Sequence, residues 1–294
     1  DAYREMLAEF SHSKAKVVIT KPSQQQLTNL SNHYDNGRFG DAEKLAISIT
    51  KEFPQHEYAW KILGAVLGVT GRKSEAVNAK RTAVALSPQD AAAHSNLGNT
   101  LKELGKLDEA LECYSKAISL KPDYVEGHSY LGNTLRELGR LDEAVASLRQ
   151  AIELKPDCAE SHYNLGITFE ELGKFEKAGA SYNRAIELKP YYAEAYNNRG
   201  AALEELDRLN EAEASLRRAI ELKPGYVKAY SNLGNTLKKL GRLNEAEASL
   251  RQAIALDPDS VEAHNNLGGT LEKLGKLDEA VASYTQAIAF KPDY

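Results

Sequence analysis

Cysteine is scarce in this 294-residue chain: Cys113 and Cys158 are the only two, far apart and in no metal-like spacing. A disulfide framework is therefore not expected, and a reducing compartment is acceptable. Each thiol reads as a small, partly buried residue. Long apolar runs are missing as well. None approaches the ~18 residues that a membrane-crossing helix needs, so no membrane insertion is expected. Basic charge is not in excess: 37 Lys and Arg stand against 42 Asp and Glu, for a net charge of −5. With a pI near 5.9, this argues against a nucleic-acid binder, which usually shows a basic face. No Gly-rich phosphate loop, nucleophile elbow or clustered His/Cys ligand set occurs, so no catalytic residue, metal or cofactor is expected. The chain opens on Asp-Ala-Tyr-Arg rather than Met, which fits a sequence beginning inside a longer or processed polypeptide. No signal-peptide pattern stands in it, and the compartment expected is cytoplasmic.

What is present is repetition. Eight of the nine prolines, Pro54, Pro88, Pro122, Pro156, Pro190, Pro224, Pro258 and Pro292, are each 34 residues apart. Alanine keeps the same register from Ala42 to Ala280, and glycine does so from Gly64 to Gly268. A second glycine series runs Gly37, Gly71, Gly105, Gly139, Gly173, Gly241 and Gly275. Proline ends a helix because it lacks an N–H and clashes with the preceding turn. The second glycine series predicts left-handed residues closing a first helix. The small Gly and Ala positions let two helices approach closely. In the Leu-Asp/Asn-Glu-Ala stretch that follows each turn, Asp108, Asp142, Asn210, Asn244 and Asp278 are expected as N-caps of the second helix, with the preceding Leu as a hydrophobic staple. Each period is thus a helix, a tight turn, a helix and a short loop.

This pattern resembles the tetratricopeptide repeat, whose consensus places an aromatic at position 4, Leu-Gly at 7 and 8, Ala at 20 and Pro at 32. In that register the repeats are 23–56, 57–90, 91–124, 125–158, 159–192, 193–226, 227–260 and 261–294, about nine-tenths of the chain. The stretch His94-Ser-Asn-Leu-Gly-Asn-Thr-Leu-Lys-Glu-Leu-Gly105 is similar to the repeat region of O-linked N-acetylglucosamine transferases and to bacterial multi-repeat proteins. The catalytic domains of those proteins are absent from this chain. The resemblance implies an all-α, right-handed superhelix of eight hairpins, each stabilised by its neighbours. Residues 1–22 carry Tyr3, Met6, Leu7 and Phe10 at helical spacing and read as an amphipathic segment and linker.

Departures from the pattern carry predictions. Asp207 stands where the turn glycine belongs, so a strained left-handed aspartate is expected. Arg199 replaces the usual Leu of repeat 6 and is expected to loosen the stack there. Repeat 1 lacks the Leu-Gly pair, as an atypical terminal repeat would. Repeat 8 ends at Tyr294 with no capping helix, which leaves an apolar face for a continuing chain or another subunit.

Several residue rows invite functional readings. His94, His128, His162 and His264 share position 4 with Trp60, Tyr196 and Tyr230. Packing rather than zinc is expected of them, because stacked repeats hold equivalent residues roughly 10 Å apart. In the family, first-helix positions 2, 5, 6, 9, 12 and 13 face the concave side. Position 6 reads Asn96, Tyr130, Asn164, Asn198, Asn232 and Asn266, and position 9 adds Asn99, Asn133 and Asn235. This row resembles the asparagine ladder with which the glycosyltransferase relatives hold an extended peptide, since an amide offers a donor and an acceptor to each peptide unit. Tyr130 and Tyr163, at groove positions of neighbouring repeats, are candidate anchors. Of the position-2 acids Glu126, Glu160, Glu194 and Glu262, which would suit basic partners, all but Glu194 are read instead as capping-box partners of Asp123, Asp157 and Asp259. The chaperone-type carboxylate clamp lacks its basic members in repeats 4 to 6. The expected partner is a protein or extended peptide in the groove. The alternatives are a substrate-recruiting arm of a larger glycosyl- or sulfotransferase, and a structural subunit that self-associates through the repeat 8 end.

Overall fold

The computed structural model describes residues 21–291. The amphipathic segment expected around Tyr3 to Phe10 lies outside the described residues. Among the latter are sixteen α-helices and no strand, two helices to each 34-residue period. The chain packs as two units, Asp1–Pro122 and Asp123–Tyr294.

The first unit holds α1 (Gln24–Asp35), α2 (Phe39–Glu52), α3 (Glu57–Val69), α4 (Lys73–Leu86), α5 (Ala91–Glu103) and α6 (Leu107–Leu120). The second holds α7 (Val125–Glu137), α8 (Leu141–Leu154), α9 (Ala159–Glu171), α10 (Phe175–Leu188) and α11 (Ala193–Glu205). It continues with α12 (Leu209–Leu222), α13 (Val227–Lys239), α14 (Leu243–Leu256), α15 (Val261–Lys273) and α16 (Leu277–Phe290). Within each unit a first helix packs on its own second helix, and that helix packs on the next first helix. In the second unit successive first helices α7, α9, α11, α13 and α15 also touch one another, whereas second helices make no comparable contact. The side built from first helices is therefore the narrower, inner side of that unit.

Close approach within each hairpin rests on the Leu-Gly glycine. A Cβ on Gly166 would meet the Tyr182 ring at 2.5 Å, and one on Gly234 would meet Leu250 Cγ at 2.5 Å. Tyr114, Leu148, Tyr182, Leu216 and Leu250 consequently lie wholly buried under their glycines, each worth about 1.5–3 kcal/mol of apolar burial. The alanine series from Ala42 to Ala280 is buried as well. Arg199 is held by polar contacts in repeat 6: its Nε donates to Ser215 Oγ (2.9 Å), Nη1 donates to Asn183 Oδ1 (3.0 Å), and the guanidinium lies 5.2 Å from the Tyr196 ring centre.

The turns close as a pair of backbone bonds. Gly105 N–H donates to the Lys102 carbonyl and Lys106 N–H to the Leu101 carbonyl, both at 2.9 Å, the pattern of a Schellman end. The turn glycines take φ between 68° and 83°, and Asp207 takes φ 57°, alone among the described non-glycine residues. The capping expectation is overturned. The second helices begin at Leu107, Leu141, Leu209, Leu243 and Leu277, and their N-caps are Lys106, Arg140, Arg208, Arg242 and Lys276, with no side-chain cap bond. One residue thus finishes the first helix and starts the second, and the Asp or Asn falls one position inside the helix. Where that residue is Asp its charge still favours the positive end of the helix dipole. The basic N-cap pairs with the Glu three residues on, as in Arg140–Glu143 and Arg208–Glu211, and holds each Glu below the usual carboxylate range.

The capping boxes expected at Asp123, Asp157 and Asp259 are absent too: the N-caps there are Tyr124, Cys158 and Ser260. Those aspartates stand one residue too early to reach the helix. A complete box occurs at Ser23 and Gln26, and Asp90 caps Ala93.

Candidate functional site

The inner helices of the second unit bring most of the asparagine row together. Asn164, Asn198, Asn232 and Asn266 recur at 34-residue spacing on α9, α11, α13 and α15, all partly buried. Part of the row is knitted into a chain of amides. Asn232 Nδ2 donates to Asn197 Oδ1 (3.0 Å), Asn197 Nδ2 donates to Asn198 Oδ1 (3.0 Å), and Asn198 Nδ2 donates to the Tyr163 hydroxyl (3.2 Å). Asn197 is wholly buried, so the chain orients its neighbours rather than contacting solvent. The side chains of Asn164 and Asn266 make no hydrogen bond among the described residues, and each presents an entire amide, one acceptor and two donors.

Tyr163 belongs to a ring cluster. Its centroid lies 5.9 Å from that of Tyr182 and 4.8 Å from that of Tyr192. Burial pushes its hydroxyl above the ordinary phenol value, and it does so more strongly for Tyr182, whose OH donates to Glu170 at 2.6 Å. These phenols stay protonated at neutral pH and act as hydrogen-bonding groups. Tyr130, on α7, is half-buried, with its carbonyl taken by Thr134 Oγ1 (2.8 Å). One turn on, Asn133 Oδ1 is buried without a hydrogen-bond partner.

Asn235 faces a carboxylate that sequence reasoning missed. Glu204, buried on α11, accepts from Asn235 Nδ2 and Thr236 Oγ1, both at 2.6 Å, and pairs with Lys239 at 2.9 Å. Asn235 is therefore committed to the packing of repeats 6 and 7. The doublet Asn197-Asn198 was the signal for the buried amide, since two adjacent asparagines cannot both face the groove. Glu204 gave no such signal.

Asn96 and Asn99 lie in the first unit. Asn96 is exposed, and Asn99 Oδ1 accepts from the Tyr114 hydroxyl at 2.7 Å. The position-4 row packs as expected for His94, His162 and His264, whose Nε2 atoms lie 3.1, 3.0 and 2.9 Å from the carbonyls of Pro88, Pro156 and Pro258. Trp60 donates to the Pro54 carbonyl in the same way at 2.8 Å. The recurring proline and the recurring ring thus form one linked pair. No helix among the described residues is long and apolar enough to cross a membrane.

Comparison with known proteins follows the period. A family model described as TPR repeat matches residues 98–139, 132–173 and 169–207. Models described as tetratricopeptide repeat match residues 81–112, 193–226 and 231–294. Among solved structures, YrrB, described as a TPR protein with an unusual peptide-binding site, is 26% identical. Its TM-score is 0.55 over 64% of this chain and 96% of its own. MamA is 28% identical, with a TM-score of 0.51 over 55% of this chain and 95% of its own. The C-terminal part of a TPR repeat-containing protein from Cytophaga hutchinsonii shares the fold at 18% identity, with a TM-score of 0.68 over 82% of this chain and 99% of its own. No curated protein matches the chain. Repeat models run from residue 81 to 226 and from 231 to 294, over helices that alternate in the order the period demands: the chain belongs to the tetratricopeptide-repeat family.

Proposed function

We propose that this chain is a protein-interaction scaffold that holds an extended peptide against the inner helices of its second unit. The observation that carries the reading is the division of labour in the asparagine row. Asn197, Asn198 and Asn232 hold one another, while Asn164 and Asn266 offer whole amides on the same side. A peptide backbone presents one N–H and one carbonyl per residue, which such amides match without demanding a sequence. Tyr130 and Tyr163 supply rings on α7 and α9. The likeness to YrrB, a protein described by its peptide-binding site, supports the same reading. In this reading the chain binds and carries out no chemical step, and serving as the recruiting arm of a transferase would use the same surface.

The test is affinity for a 12-residue peptide selected from a displayed library. Asn164→Ala with Asn266→Ala should weaken binding about tenfold, at about 0.5–1.5 kcal/mol per lost bond, with an unchanged melting temperature. Unchanged affinity would remove the amide row from the account.

A second reading rests on α16, which presents Leu277, Val281, Ile288 and Phe290 to solvent. The counterparts Val145 and Ile186 in inner repeats are buried, so this face suits assembly. Sedimentation across a concentration series checks it, and a constant monomer mass would end it.

A further inference from the structure

Position 24 of the repeat lies mid-way along each second helix and is a core position. Tyr114, Leu148, Tyr182, Leu216 and Leu250 fill it, each wholly buried. In repeat 2 the residue there is Lys80, on α4. It is packed as its counterparts are, since a Cβ on Gly64 would meet Lys80 Cγ at 2.7 Å. Its ammonium reaches across to α5, where Nζ donates to Thr100 Oγ1 at 2.6 Å and to the Asn96 carbonyl at 3.2 Å. Both acceptors are neutral. The nearby acids are engaged elsewhere: Asp90 pairs with Lys61 at 2.7 Å, and Glu103 with Lys73 at 3.0 Å. Among the described residues no carboxylate lies within ion-pairing distance of Lys80.

A second departure sits beside the first. Position 12 of the repeat carries long side chains such as Arg136, Glu170, Glu204 and Lys238, but in repeat 2 it is Gly68. A Cβ there would stand 3.9 Å from Lys80 Nζ. The two changes leave an open cleft of about 460 Å³ between α3 and α5, walled by Tyr34, Val69, Ala92 and Asn99 and by the paired Lys61, Asp90 and Glu103. Its size falls in the range of ligand pockets. Val69 is 59% exposed beside it.

We infer that this cleft takes a peptide carboxylate, an acidic side chain or a free C-terminus, against the Lys80 ammonium. The inference rests on the peptide-scaffold reading and extends it to the first unit. An ammonium partly withdrawn from water without a directly paired opposite charge is unfavourable, and burial accordingly pushes the Lys80 pKa below the ordinary lysine value. A carboxylate in the cleft would supply the missing charge, and Lys80's third N–H is left for it. The apolar walls suit the methylene stem of a side chain, and the Asn99 amide suits the backbone next to it. With Asp90 and Glu103 paired to Lys61 and Lys73, Lys80 is the one ammonium of the cleft without an ion pair among the described residues, which favours a monoanion over a doubly charged phosphate.

The fold does not call for the lysine, because the array itself places Leu or Tyr at this position. The experiment uses the full chain labelled with 13C-lysine, with the Lys80 Cε signal assigned by its loss in Lys80→Leu. Four probes are titrated: acetyl-Gly-Ala-Glu-Ala-Gly amide, its Gln counterpart, and acetyl-Gly-Ala-Ala-Gly as free acid and as amide. The expected result is a saturable shift of the Lys80 signal with the Glu peptide, the free acid or both, at least about tenfold tighter than with the neutral counterparts. Lys80→Leu should raise the melting temperature and abolish that preference. Equal response to the charged and neutral probes, no response of Lys80, or a melting temperature lowered by Lys80→Leu would overturn the inference. If the Asn164 and Asn266 amides respond while Lys80 does not, the scaffold reading survives and the carboxylate site does not. If neither responds, both fall.

Discussion

Replacing Asp207 by glycine should stabilise the second unit, and the size of the gain can be worked from the backbone. Asp207 holds φ 57°, close to the 68–83° of the seven turn glycines at equivalent positions. An L-residue in that region costs roughly 1–2 kcal/mol, which an aspartate eases only where its side chain bonds locally. Its side chain makes no hydrogen bond among the described residues to offset this. Glycine removes the strain but admits more freedom to the unfolded chain, which returns about 0.4–1 kcal/mol. The net gain is about 0.5–1 kcal/mol. For a unit the size of Asp123–Tyr294, that corresponds to roughly 1–4 °C in Tm. Thermal and urea unfolding followed by helical circular dichroism at matched concentration would read it. Gly241→Asp, at φ 77° in the next repeat, is the reverse control and should lose a comparable amount. An unchanged or lowered Tm for Asp207→Gly, or a neutral Gly241→Asp, would refute the reasoning.

Gly166→Ala and Gly179→Ala should move stability in opposite directions although both glycines are helical. The first pushes a methyl into the Tyr182 ring and should cost about 1–3 kcal/mol, whereas the second meets nothing within 4 Å and should gain about 0.5–1 kcal/mol of helix propensity; a matching sign in chemical denaturation would contradict the packing. Glu204→Ala should destabilise by about 1–3 kcal/mol, because Asn235 and Thr236 lose their acceptor in a buried place, and a neutral result would show the site to be wet. Cys113 should react slowly with a disulfide reagent at pH 8, since burial pushes its thiol up to about 11. Burial disfavours the charged thiolate, so the rate should climb about tenfold per pH unit up to that value; a rate like that of free cysteine would contradict it.

The hairpins were legible because each rests on a local rule repeated in register: a glycine where φ must be positive, and a proline where a helix must stop. Asp207 was readable for the same reason, as a gap in a series whose meaning was already fixed. The caps are not legible in the same way, because a good side-chain acceptor says nothing of how many residues the turn takes. Gly105 and Lys106 close the first helix through backbone bonds, so Leu107 begins the next helix directly and Asp108 arrives one residue late. In the candidate site the row of asparagines was visible, but its internal bonding was not. Whether Asn198 faces a ligand or Asn197 depends on the rotation of α11 against α13, which period alone does not set. Lys80 reads as an ordinary helix-surface lysine until it is aligned with Tyr114 and Leu148.

The central claim is that the amides of Asn164 and Asn266 bind peptide backbone while Asn197 only orients its neighbours. The most direct measurement is NMR of the full chain with 15N-asparagine, titrated with a peptide selected from a displayed library. Saturable shifts of the Asn164 and Asn266 side-chain amides are expected, at one common affinity, with the Asn197 signal perturbed less. Binding that leaves both of those amides unmoved would contradict it.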